Sequence, residues 1–410
     1  MSDIIRPTRR GAVAGLAAAF AAPSFSAAFA QSGDVFRIGA LNPVTGAGSP
    51  YGSGMQKMIV AAVEAVNAAG GAGGRKLEVV AEDTQTTPQA AVLAAKKLIE
   101  VNKAQVILGT WSSGVSLAVA PLTNEAGLIL MNTSGAPALS VAPANAKGLL
   151  YRFQATNDRF GRAFAQIAEK EGFKRPATMA FNNASGIGNT EGFRKAWEAK
   201  GGKIAASVVY EPNQPSYRAE LQKVLSAKPD VIVTGSYLAD TTIILREWFQ
   251  LGETTKWIIP GWAANPDLIK ALGNDVVEGV MSVDSVSNEK SQAYAAYDAA
   301  YRKAMSAPGA NNVYAAMTWD MVTCLALAME AAGPGADVAK INARIRDVSN
   351  PGGTQVSSFA EGKEALKKGK INYEGASSIL DFDEFGDVSP DFGVFPIKAG
   401  KLERAYVVKI

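Results

Sequence analysis

The chain has 410 residues, 48% of them hydrophobic and 19% charged, and its formal net charge is +3. This composition is typical of a globular chain with a proper core, and the small charge does not favour nucleic acid as a partner. The sequence contains no histidine and only one cysteine, Cys324, in a helical apolar pattern typical of a buried thiol. These counts exclude Ser-His-Asp and Cys-His nucleophilic sites, nearly all zinc hydrolase sites and any internal disulfide, and we predict no cofactor.

The N-terminus has the pattern of a targeting segment. Arg6, Arg9 and Arg10 precede a weakly apolar run of small residues that ends at Ala30. This arrangement predicts a cleavable signal peptide over residues 1–30, and the paired arginines also allow twin-arginine export. A proline and several serines interrupt the run, so it is too weak for a membrane span, and no cysteine follows that a lipid anchor would need.

Strand and helix patterns alternate along the first part of the mature chain. Helices are predicted where apolar residues recur at helical spacing, and strands where short apolar runs are bounded by turn residues. The strands fall at residues 35–40, 77–81, 106–108 and 128–131, and the helices at 54–69, 88–101 and 115–126. This order favours a parallel sheet with helices on both faces.

The same order begins again after a connecting strand at residues 151–154. Strands are predicted at 178–181, 204–210, 231–234 and 257–259, and helices at 158–171, 188–200, 217–226 and 240–251. Beyond about residue 280 the pattern loosens into two helices, at 293–304 and 313–332, and a long tail of strands and turns. Because such a tail has to pack on one unit or both, several chain crossings between the two units would form a hinge.

Two glycine-rich stretches lack the spacing of a nucleotide site. The run 70-GGAGGR-75 has no Lys-Ser/Thr at P-loop spacing and fits a helix stop. In 43-PVTGAGSPYGSG-54, Tyr51 stands where the third glycine of a dinucleotide fingerprint would be. The acids within residues 381–387 lack the rest of an EF-hand loop and are predicted to be turn residues.

The stretch 109-GTWSSGVSLAVAPL-122 places an indole and two hydroxyls where a strand gives way to a helix. Trp111, Ser112 and Ser113 follow the apolar run 104-AQVILG-109 almost directly. Two interpretations of the serines stay open. One is an ordinary N-cap, in which a serine oxygen accepts a backbone N–H of the first helical turn. The other is a seat for an anion at the positive end of the helix.

Polar, glycine and aromatic residues follow most of the predicted strands, at the ends where open α/β sheets bind ligands. The first unit offers hydroxyls and glycines, which suit ligand oxygens, whereas the second offers aromatic and amide groups. These residues are Tyr51, Trp111-Ser112-Ser113 and 132-NTSGAP-137 in the first unit, and 182-NNASGIG-188, 235-GSY-237 and 260-PGWAAN-265 in the second. Two facing units with complementary chemistry predict a cleft that closes on a small molecule.

Several stretches together resemble the periplasmic binding proteins of branched-chain-amino-acid-type ABC transporters, the Leu/Ile/Val-binding protein family. They include 35-VFRIGALNPVTG-46, 127-GLILMNTSGAPAL-139 and 381-DFDEFGD-387. The resemblance implies a type I periplasmic binding fold, with two Rossmann-like α/β lobes of parallel sheets flanked by helices and joined by a three-crossover hinge. On that basis lobe 1 is expected to comprise residues 31–154 and about 285–390, and lobe 2 residues 155–284 and about 391–410.

The resemblance also implies which residues of lobe 1 bind the ligand's polar groups. The family serine that binds the ligand carboxylate corresponds to Ser113, with Ser112 beside it. A tripeptide after the fourth strand offers a carbonyl to the ligand amine and a donor to its carboxylate. It corresponds to Ser134, Gly135 and Ala136, and Ala136 lacks the usual threonine hydroxyl.

Aromatic pocket residues of the family can be placed in the same way. Two pocket tyrosines correspond to Tyr51 and Tyr237, whereas a third position is occupied by Ile187. The implied mechanism is hinge closure, in which the ligand carboxylate rests on lobe 1 and Tyr237 and Trp262 of lobe 2 close over the remainder.

The most informative departure from the family lies in 260-PGWAAN-265. Amino-acid binders often place a glutamate here to pair with the ligand ammonium, whereas this chain has Gly261 and Trp262. A buried ammonium without a paired acid costs several kcal/mol. Either Asp240 therefore supplies the negative charge, or the ligand has no α-ammonium.

The aromatic residues near the expected cleft allow a further interpretation. Trp111, Trp262, Tyr51 and Tyr237 would suit an aromatic ring or a quaternary amine between them. The alternative is that the two tryptophans belong to the lobe cores. Since both follow strand ends, we expect at least one of them to face the cleft.

The resemblance implies a non-catalytic, periplasmic solute-binding component of an ABC importer. Its expected partners are a small carboxylate ligand, such as an amino acid, and the membrane subunits of an ABC permease. Two alternatives stay open: an enzyme on a similar scaffold, and a sensing protein for aromatic acids or amide-like compounds that reports to a receptor. We expect the protein to be a monomer and to have no nucleic-acid partner.

Overall fold

The structure is a computed structural model that describes residues 35–410. The signal peptide predicted over residues 1–30 lies outside the described residues. Within residues 35–410, no helix is both long and apolar enough to cross a bilayer. Two largely parallel sheets with helices packed on them make up most of this part of the chain, which confirms the predicted α/β class.

The first sheet consists of five strands: β1 (Val35–Asn42), β2 (Lys76–Asp83), β3 (Val106–Gly109), β4 (Ile129–Asn132) and β5 (Leu150–Arg152). They lie in the order β2-β1-β3-β4-β5, and every neighbouring pair is parallel. β3 and β4 are buried along their whole length, as is typical of a parallel sheet covered on both faces. Parallel pairing places the carboxyl ends of all five strands along one edge.

The second sheet has eight strands, and a separate two-stranded sheet precedes the last three of them in the chain. Their bounds are β6 (Pro176–Phe181), β7 (Ser207–Tyr210), β8 (Val231–Gly235), β9 (Lys256–Pro260), β10 (Met281–Ser285), β11 (Thr354–Val356), β12 (Ile371–Tyr373), β13 (Phe392–Lys398), β14 (Lys401–Leu402) and β15 (Tyr406–Val408). The large sheet runs β14-β13-β10-β9-β8-β6-β7, with β15 paired to β13. Strands β6 to β10 pair in parallel, and β13 is antiparallel to its neighbours.

Helices cover these sheets and also pack on one another. Their bounds are α1 (Ser49–Ala68), α2 (Pro88–Lys96), α3 (Ser113–Ala126), α4 (Asn157–Lys170), α5 (Ala184–Ala199), α6 (Arg218–Leu225), α7 (Leu238–Gln250), α8 (Pro266–Leu272), α9 (Asn274–Val277), α10 (Gln292–Met305), α11 (Val313–Ala332), α12 (Val338–Asn342), α13 (Ile345–Ser349) and α14 (Phe359–Leu366). A π-helical turn, Lys97–Val101, continues α2. Short 3-10 turns occupy Gly46–Gly48, Pro137–Leu139 and Gly309–Asn311.

The chain passes between the two large sheets three times. The first crossover joins β5 to α4, the second joins β10 to α10, and the third joins β12 to β13. Because α10 and α11 pack against α1, they belong with the first sheet. We call the first sheet with α1–α3 and α10–α14 lobe 1, and the second sheet with α4–α9 lobe 2. The residue boundaries predicted for the lobes stay a prediction.

Two helices begin four or more residues earlier than the sequence pattern predicts, and each of these shifts moves a predicted site residue onto a helix. α1 begins at Ser49 instead of residue 54, since Pro50 in its first turn has no N–H to leave unpaired. Tyr51 therefore lies on α1. α5 begins at Ala184 instead of residue 188, because the Asn183 side chain accepts the Gly186 N–H at 2.8 Å as an N-cap.

Asp240 stabilises the start of α7. Its carboxylate accepts a hydrogen bond from the Tyr237 N–H at 3.0 Å and another from the Tyr210 hydroxyl. The side chain is buried, and this burial raises its pKa to about 7, although the hydrogen bonds oppose the rise. Asp240 is thus a capping residue whose charge is costly at neutral pH.

This elevated pKa predicts a pH dependence of stability. Since the Asp240 pKa in the folded chain exceeds the unfolded value of about 3.9, the folded state binds more protons between about pH 4 and pH 7. The free energy of unfolding contributed by this group therefore falls as pH rises through that window. Asp240→Asn keeps an acceptor for the Tyr237 N–H but cannot ionise. We therefore expect the free energy of unfolding of this variant to fall less steeply with pH than that of the wild type, by up to about 1.4 kcal/mol for each pH unit in this window.

Urea unfolding at about pH 5 and about pH 8 measures this difference. Asp267→Asn, which changes an exposed carboxylate in the same lobe, is the matched control and should retain the wild-type pH dependence. An Asp240→Asn protein that loses as much stability as the wild type between the two pH values would contradict the assignment.

Candidate ligand-binding site

The carboxyl ends of strands from both sheets meet around one small cavity between the lobes. The cavity is about 20 Å³ in volume, room for one or two water molecules. It is lined by Trp111, Ser112, Thr133, Gly135, Gln154, Asn157, Phe160, Ser185, Tyr237, Trp262 and Tyr314. Five of these, Trp111, Ser112, Gly135, Tyr237 and Trp262, are among the predicted site residues.

Aromatic rings form most of the apolar wall and touch each other across the gap between the lobes. Trp111 of lobe 1 lies 5.5 Å from the Tyr237 ring of lobe 2, at an angle of 57°. Tyr314, at the start of α11, meets Trp111 edge-on at 5.7 Å. In lobe 2, Phe160 packs edge-on against Trp262 at 5.2 Å. Both tryptophans thus face the cavity, although each is also largely buried.

The two serines at the start of α3 do not act as side-chain caps. Ser112 holds the N-cap position in an extended conformation, but its side chain makes no capping hydrogen bond. Ser113 is 1% exposed, and its hydroxyl oxygen has no hydrogen-bond partner within residues 35–410. Thr133, after β4, also has a buried hydroxyl without a partner there. Buried hydroxyls are normally paired, so two unpaired ones at this end of the sheet point to an external acceptor.

A hydroxyl cluster lies where lobe 2 meets Ser112. The Tyr237 hydroxyl accepts a hydrogen bond from Asn183 Nδ2 at 3.0 Å and faces the hydroxyls of Ser112 and Ser185. Burial raises the pKa of Tyr237, while hydrogen bonding with Ser112, Asn183 and Ser185 opposes that rise. The phenol is therefore neutral at physiological pH and keeps a proton to donate.

The carbonyl oxygens of the Ser134–Ala136 loop all accept hydrogen bonds from within the protein. Arg152 donates to the Ser134 oxygen at 2.5 Å and to the Ala136 oxygen at 2.9 Å. The Gly135 oxygen accepts the Asn157 N–H at 2.7 Å. The Ser134 hydroxyl in turn donates to Asn132 Oδ1 at 2.7 Å. All three carbonyl oxygens of the tripeptide that the resemblance identified thus already accept hydrogen bonds from protein donors.

Tyr51 lies beside this cavity instead of lining it. Its ring packs 5.7 Å from Trp111 and 5.1 Å from Tyr314, and its hydroxyl accepts a hydrogen bond from Asn265 Nδ2 at 2.8 Å. Because α1 belongs to lobe 1 and Asn265 caps α8 in lobe 2, this bond bridges the lobes. On its other side Tyr51 borders a larger cleft of about 470 Å³ that contains Asp284, whose pKa burial raises to about 7.

Six of the predicted site residues are not among those that line the cavity: Tyr51, Ser113, Ser134, Ala136, Ile187 and Asp240. Ile187 lies half-buried on the first turn of α5. Asp240 caps α7 and bonds Tyr210, so its carboxylate is engaged within lobe 2. No acidic or basic side chain lines the cavity. The structure therefore gives a ligand ammonium no carboxylate partner there.

Six lining residues were not singled out from the sequence. Thr133 and Ser185 fall within stretches that were predicted to face the cleft, but neither was named. Gln154, the last residue of the predicted strand 151–154, lies in the first crossover, and Asn157 is the first residue of α4. Phe160 and Tyr314 come from α4 and α11, and only tertiary packing brings them to the site. Within residues 35–410, no group of histidine, cysteine, aspartate and glutamate side chains could hold a metal ion.

Comparison with known proteins agrees with this arrangement. A family model for periplasmic binding proteins matches residues 35–367. The leucine-, isoleucine-, valine-, threonine- and alanine-binding protein of Pseudomonas aeruginosa is 25% identical over 382 residues, which cover 93% of this chain and 94% of that protein.

Solved structures share the fold over nearly the whole chain. A leucine-binding protein from Thermotoga maritima superposes with a TM-score of 0.77 at 24% identity, covering 91% of this chain and 99% of that one. A solute-binding protein of an ABC transporter from R. palustris, in complex with benzoate, gives 0.73 at 22% identity, covering 91% and 96%. The resemblance found in the sequence is confirmed: this chain belongs to the type I periplasmic binding proteins of the Leu/Ile/Val-binding family.

Proposed function

We propose that this chain is the solute-binding component of an ABC importer and that it captures a small aromatic carboxylate between its lobes. One observation carries the choice of ligand: the cavity is walled by aromatic rings and neutral hydrogen-bonding groups, with no acidic side chain among them. The segment over residues 1–30 would export the chain to the periplasm. There it would bind its ligand without turning it over and deliver it to the membrane permease.

The cavity disfavours an α-amino acid. A zwitterion would bring an ammonium group that needs a buried carboxylate or several acceptors, and without them the cost is several kcal/mol. The Ser134, Gly135 and Ala136 carbonyls already accept protein donors. The Asp240 carboxylate is held by Tyr210 and the start of α7. A ligand without an ammonium avoids this cost.

The same cavity favours an anion. Ser113 and Thr133 have buried hydroxyls that find no partner in the described part of the chain. Ser113 follows the lining residue Ser112 and is the first residue of the 14-residue helix α3. The N-terminus of a helix carries a partial positive charge and backbone N–H groups that point outward. Hydrogen bonds to a charged group contribute about 1.5–3 kcal/mol each, so three such donors together with aromatic contacts would reach micromolar binding, about −8 kcal/mol, after closure costs.

The rings around the cavity suit a planar aromatic body. Trp111 and Tyr237 face each other from opposite lobes, and Trp262 and Phe160 extend the same apolar wall. An aromatic ligand inserted between Trp111 and Tyr237 would replace the contact between these two rings with a contact of each ring to the ligand. The similar structures include both a leucine-binding protein and a benzoate complex, so the choice rests on the chemistry of this cavity.

Binding requires the lobes to separate and close again. The cavity of about 20 Å³ is too small for a ring, and the Tyr51–Asn265 hydrogen bond and the Trp111–Tyr237 contact both span the gap. Motion at the three crossovers would open the gap, and closure over the ligand would restore such contacts. The closed form is the one that a permease would recognise.

A direct test measures binding of the purified mature protein by calorimetry. We expect benzoate and 4-hydroxybenzoate to bind with micromolar affinity or better, and leucine, valine and phenylalanine to bind at least about 100-fold more weakly because of the unpaired ammonium. Phenylalanine is the matched comparison, since it adds an α-ammonium to an aromatic acid. Tight binding of leucine or phenylalanine would refute the proposed ligand class, and turnover of any ligand would refute a purely binding role.

Ser113 should contribute to affinity rather than to stability. Its hydroxyl has no partner within residues 35–410, so Ser113→Ala should weaken benzoate binding by about tenfold or more with little change in Tm. Ser116→Ala is the matched control on the same helix, because the Ser116 hydroxyl donates to Thr110 Oγ1 at 2.9 Å. That variant should lose stability and keep its affinity. An unchanged affinity in Ser113→Ala would remove this residue from the site.

Trp262 should report ligand binding by its fluorescence. Trp262→Phe keeps an aromatic ring but loses the indole, whose Nε1 donates to the Ser236 oxygen at 2.9 Å. We expect the variant to lose much of the ligand-induced fluorescence change and about two- to tenfold in affinity. Trp248→Phe is the control, since Trp248 packs against Trp257 instead of lining the cavity. Equal effects of the two substitutions would favour a purely structural role for Trp262.

A further inference from the structure

Arg152 is a charged side chain without access to solvent, directly behind the loop that forms one wall of the cavity. It is the last residue of β5, and its side chain is 0% exposed. A buried charge is stable only when it is paired and its hydrogen-bonding capacity is used. The partners of Arg152 therefore indicate what its burial accomplishes.

The Arg152 guanidinium connects the Ser134–Ala136 loop to Asp387 in the third crossover. Nη1 donates to the Ser134 oxygen at 2.5 Å, and Nη2 donates to the Ala136 oxygen and to Ser140 Oγ, each at 2.9 Å. Nε donates to Asp387 Oδ1 at 2.8 Å, and Ser140 donates to the other oxygen of Asp387 at 2.6 Å. The planar fork of an arginine can hold all of these acceptors at once, which the single ammonium of a lysine cannot do.

The hydrogen bond from Arg152 to the Ser134 oxygen fixes the direction of the Gly135 N–H, because both groups belong to the same peptide. In a trans peptide the carbonyl and the following N–H point in opposite directions. Because the Ser134 oxygen points toward Arg152, the Gly135 N–H points away from it, and Gly135 lines the cavity. That N–H donates no hydrogen bond within residues 35–410. A Cβ at Gly135 would lie 2.0 Å from Asn157 Oδ1, so a side chain at this position would displace the Asn157 side chain.

We propose that Arg152 is a positioning residue for ligand binding, which holds the Ser134–Gly135 peptide with its N–H directed at the ligand carboxylate. This inference rests on the proposed function, because it needs an anionic ligand group in this cavity. Arg152 itself does not contact the ligand. Its effect is to keep one donor oriented before the ligand arrives, so that no reorganisation opposes the hydrogen bond.

The pairing with Asp387 extends this role to the hinge. Arg152 ends the last strand before the first crossover, and Asp387 lies in the third crossover. Their backbones are also joined, since the Arg152 N–H donates to the Gly386 oxygen at 2.8 Å. The donor loop and two of the three connections between the lobes thus share one buried ion pair.

The test compares a carboxylate with its neutral amide. Benzoate and benzamide have the same shape, so the ratio of their Kd values isolates the interaction with the charged carboxylate, and a general loosening of the protein would weaken both alike. We expect Arg152→Lys, which keeps the charge but loses the fork, to reduce the wild-type preference for benzoate by about tenfold or more. Calorimetry on the purified protein gives both constants.

Ser140→Ala keeps the inference testable if Arg152→Lys does not give a cooperative melt. Ser140 lies outside the cavity and contacts Arg152 only at Nη2, so this variant should fold and reduce the preference by a smaller factor, about two- to fivefold. A folded Arg152→Lys, or failing that Ser140→Ala, that keeps the wild-type preference overturns the inference and leaves the proposed function intact.

Failure of the proposed function gives a different result. A wild type that binds leucine instead of benzoate refutes the aromatic ligand, and the Arg152 inference is then decided by the same variants with leucine and leucinamide. A wild type that prefers neither acid over its amide overturns both proposals.

Discussion

Parallel strands end along a common edge of their sheet, and both sheets of this protein turn that edge toward the same gap. Trp111 and Ser112 after β3, and Tyr237 after β8, reach one cavity because their strands stop there, although they are far apart in sequence. The helices that follow these strands begin at the same edge, so their N-termini surround the gap with outward N–H groups. The location of the site thus follows from strand direction, and its chemistry from a few residues after each strand.

The charges of the molecule are arranged around this cavity without entering it. Arg152 and Asp387 neutralise each other behind the loop wall, and Asp240 is capped within lobe 2. The groups that line the cavity are neutral hydroxyl, amide and aromatic side chains. Hydroxyl and amide groups can donate hydrogen bonds to an added negative charge, whereas an added positive charge finds no carboxylate among the lining residues.

The sequence was most informative where function depends on residues next to a strand. The two-lobe α/β fold, Trp111, Ser112 and Tyr237 could be placed because the periodic pattern marks the strand ends themselves. Tyr314 and Phe160 could not, because they lie on helices whose position at the gap is set by packing across the whole lobe. Asp240 was predicted as a possible counter-ion because the sequence shows its residue type and its spacing from Tyr237. The sequence does not show that the Tyr210 hydroxyl donates a hydrogen bond to its carboxylate. Ile187 was placed by resemblance alone, and the early start of α5 puts it on a helical turn beside the cavity lining.

The contact between Trp111 and Tyr237 has a consequence for how tightly anything can be held here. The two rings come from opposite lobes and their centroids are 5.5 Å apart, at the place where the proposed aromatic ligand would insert. The Trp111–Tyr237 contact would therefore compete with ligand binding. The measured affinity would reflect the difference between the contacts of the two rings with the ligand and their contact with each other. A larger ring at either position would strengthen the ring–ring contact as well as the ring–ligand contact, so the two gains would largely cancel. Affinity would therefore rise more readily through changes in the polar donors than through changes in the rings.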